Sequence, residues 1–139
     1  MTEQPVNPYA AGPPPGELSP QEIHTWSGAA HWSAFLASLV GMTFLGPLLV
    51  LLIKGNQSQQ VRAHAAESLN FQLSILIYSI VGTILGVVFG VLTLGMGLLL
   101  LIPLYLGGAI FWFVCTLLGA LRASEGNFYR YPLTIRMVS

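Results

Sequence analysis

The feature that most constrains the fold of this chain is a long run of uncharged residues. The 54 residues at 68–121 contain no Asp, Glu, Lys or Arg, and a second uncharged run covers 23–53. A helix that crosses the hydrocarbon core of a bilayer needs about 20 apolar residues. The longer run therefore predicts two membrane-spanning helices joined by a short turn.

Composition favours a membrane protein and excludes several soluble classes. Only 7% of the residues are charged, against about 25% in ordinary soluble domains. The net charge of zero excludes the basic surface that nucleic-acid binding requires, so we expect the lipid bilayer, and no nucleic acid, as a partner. The single Cys115 cannot form an internal disulfide. No catalytic or phosphate-binding motif is present, so we expect a non-enzymatic protein with no catalytic residues, metal or cofactor.

These patterns predict an all-α membrane protein, a small helical bundle of three apolar segments. We place the segments at 35–53, 69–92 and 98–121, with the turn between the last two at 93–97, where glycines interrupt the apolar run.

The first segment is expected to be broken at Gly46-Pro47, because proline lacks an amide proton and crowds the preceding helical turn. Two geometries follow from such a break. A kinked span through 35–53 is the favoured one. The alternative is a re-entrant helical hairpin of 20–40 and 47–54, which enters and leaves the membrane on the same side.

The regions that flank the apolar segments predict three parts of the chain. Residues 1–18 carry five of the nine prolines and are expected to be a disordered tail. The transmembrane helical domain is expected at 19–128, with a capping box at SPQE (19–22) at its start and Gly126 as the cap at its end. Residues 129–139 are expected to form an extended segment at the membrane interface.

The basic residues predict the orientation in the membrane. They lie between the first two segments or after the third: Lys54, Arg62, Arg122, Arg130 and Arg136. Because basic residues near helix ends favour the cytoplasmic side, we expect a multi-pass protein of the bacterial cell membrane whose basic loop and C-terminus are cytoplasmic. The 93–97 turn then faces outward. The N-terminal tail lies outside if the first segment crosses, and inside if it is re-entrant.

Glycines in the second segment predict a helix-packing surface. Gly82, Gly86 and Gly90 follow a spacing of four residues, which aligns them on one helix face and allows another helix to approach closely. Gly107 and Gly108 in the third segment are expected to supply a matching flat face. The sequence leaves open whether the approaching helix belongs to this chain, to a second copy or to another protein.

Polar residues concentrate at the start of the second segment. His64, Glu67, Asn70 and Gln72 lie within nine residues, and amides at membrane depth need hydrogen-bond partners. We interpret the group as an interfacial, hydrogen-bonded cluster rather than a metal site. The His64–Glu67 pair has no second copy in the sequence, and His24 and His31 are expected at the far end of another helix. The end of the chain predicts contacts with lipid or a partner protein through Arg122, Tyr129, Arg130, Tyr131 and Arg136.

Four ordered motifs carry a resemblance to a known family. They are HWSAFL (31–36), LGPLLVLLIK (45–54), HAAESLNFQLS (64–74) and GNFYRYPLTIR (126–136). In this order they resemble the small bacterial membrane proteins of the Tic20-like superfamily (the DUF4870 group), which are distant relatives of a chloroplast protein-import component.

Two functional hypotheses follow. In the first, the protein is an accessory subunit that packs against a larger membrane transport assembly. In the second, it self-associates into a translocation pore, as the distant import relative suggests. The lack of a continuous polar stripe argues against a pore.

Overall fold

The computed structural model describes residues 16–139, and this part of the chain is helical with no strand. The α-helices are α1 (Pro20–Ser38), α2 (Leu45–Lys54), α3 (Gln59–Leu92) and α4 (Leu101–Ser124), and a 3-10 helix at Met96–Leu100 precedes α4. The predicted all-α class is confirmed. Most of the expected N-terminal tail, residues 1–15, lies outside the described residues.

The predicted signals at the two outer helix ends are present. At the start of α1, the Ser19 side chain accepts a hydrogen bond from the Glu22 amide, and the Glu22 carboxylate accepts one from the Ser19 amide. At the end of α4, Gly126 adopts a left-handed backbone with φ of 81°. Leu18, which the sequence assigns to the tail, is instead buried against Ala30 and Val50.

The break in the first apolar segment lies at 39–44 and not at Gly46-Pro47, so the predicted kinked span through 35–53 is not confirmed. Pro47 falls in the first turn of α2, where a helix needs no amide donor. Gly46 serves close packing, since a Cβ atom there would collide with the backbone of Ser33. Gly46 and Pro47 are therefore structurally important as parts of α2 and not as the break between the helices.

Helices α1 and α2 form an antiparallel hairpin. Gly46, near the start of α2, lies against Ser33 near the end of α1. At the opposite end, the Lys54 ammonium lies 5.2 Å from the centroid of the Trp26 ring. These two contacts fix the relative direction of the helices.

The long helices α3 and α4 run antiparallel and meet at the predicted turn. Leu94 and Gly95 both adopt positive φ there, 53° and 94°. By length and composition, Gln59–Leu92 and Met96–Ser124 are candidate membrane spans, whereas α2 is a shorter apolar helix. The structure thus supports two candidate spans where the sequence predicted three apolar segments.

The described chain divides into two regions of different character. The body comprises residues 16–75 and 111–139, and the arm comprises residues 76–110, which are the end of α3, the turn and the start of α4. Within the arm, Gly90 and Gly97 are the buried residues, and its large apolar side chains are exposed apart from the half-buried Leu101. The buried polar side chains all lie in the body: Ser27, His31, His64, Glu67, Ser68, Asn70, Gln72, Ser74 and Thr116.

Candidate functional site

The candidate functional site is the polar centre of the body, where α1, α3, α4 and the C-terminal segment (129–139) meet. Helix α3 supplies most of it because its polar residues recur three or four positions apart and therefore share faces of the helix. His64 and Ser68 lie on one such row, and Glu67, Asn70 and Ser74 lie on the neighbouring one. The predicted cluster of His64, Glu67, Asn70 and Gln72 is buried in the structure.

His31 connects three parts of the chain at the centre of the site. Its Nδ1 atom lies 2.7 Å from the Tyr131 hydroxyl, and its Nε2 atom lies 3.3 Å from Nδ1 of His64. Burial lowers the pKa of His31 to about 3, so the ring is neutral and donates from one nitrogen while accepting at the other. The expectation that His31 lies far from His64 is wrong, because α1 packs directly across α3.

Glu67 ties the C-terminal segment to α3 through a buried carboxylate. Its Oε1 atom accepts hydrogen bonds from the Tyr131 amide and from an Arg136 guanidinium nitrogen, both at 3.0 Å. Its Oε2 atom accepts from Nε of Arg136 at 3.2 Å. This two-pronged pairing is the strong geometry for an arginine and a carboxylate.

Asn70 continues the same row of contacts. Its Oδ1 atom accepts from the backbone amides of Met137 and Val138, at 2.9 and 2.8 Å, and its Nδ2 atom donates to the Val138 carbonyl at 2.7 Å. The backbone of Met137 and Val138 thus provides the hydrogen bonds that water would make with this amide at a surface.

Two residues further along α3 hold the remainder of the segment. The Ser74 hydroxyl accepts from the Ile135 amide at 2.8 Å, and the Tyr78 hydroxyl donates to the Leu133 carbonyl at 2.8 Å. Leu133 has a φ of 56°, which marks the point where the segment reverses direction. The segment therefore reaches the start of the arm before it returns along α3.

Gln72 and the aromatic residues join α3 to α4. The indole nitrogen of Trp112 donates to Oε1 of Gln72 at 2.7 Å, and Trp112 also makes an edge contact with Phe35 of α1. Phe71 stacks on Tyr131 with ring centroids 4.2 Å apart. No local sequence pattern marks Trp112 or Phe35 as part of the site, because their contacts connect residues far apart in the chain.

The five residues predicted to contact lipid or a partner differ in their surroundings. Arg122 and Arg130 are exposed, and Tyr129 is half-buried beside Tyr131. Tyr131 is buried and Arg136 is paired with Glu67, so these two side chains make contacts within the chain. A contact of this group with lipid or a partner remains a prediction.

The glycine row on α3 faces leucines of the returning chain. A Cβ atom at Gly86 would collide with the Leu101 side chain, and one at Gly90 would come within 2.6 Å of Leu98. At Gly82 the nearest neighbour is Leu104, at 3.9 Å.

The expected matching face of Gly107 and Gly108 is not found. A Cβ atom at either position would have no heavy-atom neighbour within 4 Å. Leucine side chains, rather than a second glycine surface, fill the groove on α3. Within residues 16–139, no group of three or more His, Cys, Asp or Glu side chains is placed to hold a metal ion.

Comparison with known proteins identifies the family. Residues 22–138, from the first turn of α1 to the C-terminal segment, match the sequence model of the MamF/MmsF magnetosome magnetite crystal formation protein family. No curated protein and no solved structure matches the chain. The family match overturns the assignment to the Tic20-like group. The chain belongs to the magnetosome magnetite crystal formation protein family.

Proposed function

We propose that this chain is a non-enzymatic protein of the magnetosome membrane that assists magnetite crystal formation. The observation that carries the proposal is the family match over residues 22–138, which includes the polar centre and both candidate spans. The hypotheses of a transport assembly and of a translocation pore depended on the Tic20-like resemblance and are withdrawn with it.

The arm is the part we propose to cross the membrane. Its exposed surface is apolar along both helices. The part of α3 at 76–92 is about 25 Å long, at the lower end of the range of about 17–25 residues for a helix that spans a bilayer core of about 30 Å. Helix α2, with 10 residues, is only about 15 Å long and cannot cross. The α1–α2 hairpin is then re-entrant, with its exposed apolar tip residues Leu39, Val40 and Met42 in the lipid.

The charges favour a cytoplasmic body. All five basic residues of the sequence lie in the body, and the arm contains no charged residue. By the bias of basic residues toward the cytoplasm, the 93–97 turn faces the opposite side of the membrane. That turn offers no carboxylate to a mineral surface, which supports an accessory role rather than direct binding of the crystal.

The role is tested by complementation in a magnetite-forming bacterium that lacks its own member of this family. We expect the wild-type chain to be recovered with the magnetosome membrane and to restore the size of the crystals, measured by electron microscopy. The matched control is Gly46→Ala, which disrupts the α1–α2 hairpin and is expected to restore neither. Recovery of the wild-type chain in the magnetosome membrane without any change in crystal size contradicts the proposed role.

The membrane placement is tested separately by cysteine labelling in intact cells. In a Cys115→Ala background, single cysteines at Glu17, Gly95 and Glu125 are exposed to a membrane-impermeant probe. A re-entrant hairpin predicts that the cysteines at Glu17 and Glu125 share one side and that the cysteine at Gly95 labels from the other. Labelling at Glu17 and Glu125 from opposite sides means that the first segment crosses the membrane.

A further inference from the structure

An open groove lies between α3 and the chain's last residues, beside the Glu67–Arg136 pair. Its volume is about 630 Å³. Its lining includes Ala63 and Ala66 of α3 and, from the end of the chain, Phe128, Arg130, Arg136 and Ser139. The groove is therefore bordered by two guanidinium groups and an aromatic ring, a combination that the proposed function does not use.

The arginines around the groove differ in their pairing. The Glu67 carboxylate is already paired with Arg136, whose side chain is still 43% exposed. Arg130 is exposed and forms no ion pair or hydrogen bond with any of residues 16–139. Arg62 donates to the Ser139 main-chain oxygen at 2.9 Å, so Arg130 is the groove guanidinium that has no partner among the described residues. Guanidinium groups bind phosphate oxygens in a two-pronged geometry.

The position of the groove along α3 matches the headgroup layer of a membrane that the arm crosses. The exposed apolar surface of α3 begins at Leu76, nine residues beyond Glu67, which corresponds to about 13 Å along the helix. Leu133, which is 72% exposed, is held at the start of the arm by the Tyr78 hydroxyl. Exposed apolar residues thus extend from the groove toward the hydrocarbon core.

We propose that this groove binds the phosphate of an anionic phospholipid. Arg130 contacts the phosphate, Arg136 is held beside it by Glu67, and the acyl chains lie along the exposed side chains of Leu133 and Ile135. The proposal rests on the membrane placement proposed above and is independent of the role in crystal formation.

The test uses the full chain purified in a neutral detergent and mixed with equal amounts of phosphatidylglycerol and phosphatidylcholine. Native mass spectrometry measures the lipid that stays bound to the wild type, to Arg130→Gln and to the matched control Arg122→Gln, which removes an exposed arginine outside the groove. We expect retention of phosphatidylglycerol over phosphatidylcholine. Arg130→Gln should weaken it about fivefold, equal to the ~1 kcal/mol that one basic residue contributes at an anionic surface.

Three other results would each overturn the proposal for a different reason. An equal loss in Arg122→Gln indicates attraction by the overall charge and not a site. If inorganic phosphate in excess displaces phosphatidylglycerol, so that the acyl chains give no advantage in binding, the groove is a site for free phosphate. Equal retention of both lipids by the wild type means that the groove does not recognise an anionic headgroup. None of these results bears on complementation of crystal formation, so the two proposals fail separately.

Discussion

The body and the arm obey different packing rules. In the body, four helical stretches enclose hydrogen-bonded polar side chains, such as His31 between His64 and Tyr131. In the arm, two helices contact each other through glycines and leucines, and nothing larger than glycine is buried. Few side-chain hydrogen bonds join α3 to α4 within the arm: the Thr83 and Tyr105 hydroxyls meet, and Tyr105 also donates to the Ser79 carbonyl at 2.9 Å.

This difference shows that the body, more than the arm, specifies the fold of the chain. Lipid is as apolar as a leucine side chain, so burial alone gives two apolar helices little reason to associate, and close packing must hold them. A buried polar group, in contrast, needs one definite partner. We therefore expect substitutions in the body to be more costly than comparable ones in the arm.

The largest effect is expected for Gly46→Ala in the body. A single added methyl group collides with the backbone of Ser33, and a backbone cannot rotate away as a side chain can. We expect a loss of about 3 kcal/mol in the free energy of unfolding, the upper range for an overpacked core. The measurement is unfolding by SDS in mixed micelles. Gly108→Ala in the arm, where the methyl group meets open space, is the control and should change the free energy little.

The next largest effect is expected for Glu67→Ala. The change leaves the buried Tyr131 amide without an acceptor and frees Arg136, and an unsatisfied buried group costs about 2 kcal/mol. Because Arg136 is half-exposed, water compensates for much of the lost ion pair. Hydrogen exchange should quicken at the amides of 131–138. Glu125→Ala, at an exposed glutamate, serves as the control; equal destabilisation by both variants contradicts the role given to Glu67.

The sequence predicted local features of the fold more reliably than distant contacts. The capping box at Ser19, the turn at 93–97 and the left-handed Gly126 depend on neighbouring residues, and all three are present. The contact of His31 with Tyr131 joins residues 100 positions apart, and no local pattern encodes it. A partial signal existed, because Ser27 and His31 lie four residues apart and share a face of α1.

Gly46-Pro47 shows why the sequence pattern predicts the break in the first apolar segment at the wrong residues. Both residue types commonly interrupt helices, and the sequence pattern alone gives no reason to prefer another role. Only the packing of α2 on α1 reveals that the glycine is needed for close approach and that the proline is harmless in a first turn. The break lies at 39–44 instead, where Gly41 has a φ of 74°.

In the arm, Gly86→Leu is expected to cost about 1.5 kcal/mol, within the range for an overpacked contact. The added side chain collides with Leu101, which is a side chain and can move, so the effect is smaller than at Gly46. The matched control is Gly107→Leu, at a position with no neighbour within 4 Å. A similar loss in both variants, measured by SDS unfolding, means that the glycine row does not hold α3 against α4.

The smallest effect is expected at the boundary between the two regions, for Trp112→Phe. Phenylalanine keeps a ring beside Phe35 but removes the indole donor to Gln72, and one buried hydrogen bond is worth about 1 kcal/mol. If the bond itself is responsible, replacing the acceptor as well should recover part of the loss, since two matched apolar groups no longer leave a polar atom unpaired. The double variant Trp112→Phe with Gln72→Leu should therefore unfold at a higher SDS fraction than the sum of the single changes predicts. Strict additivity would instead mean that Trp112 stabilises the boundary by its size alone, and that the polar network of the body ends before it reaches α4.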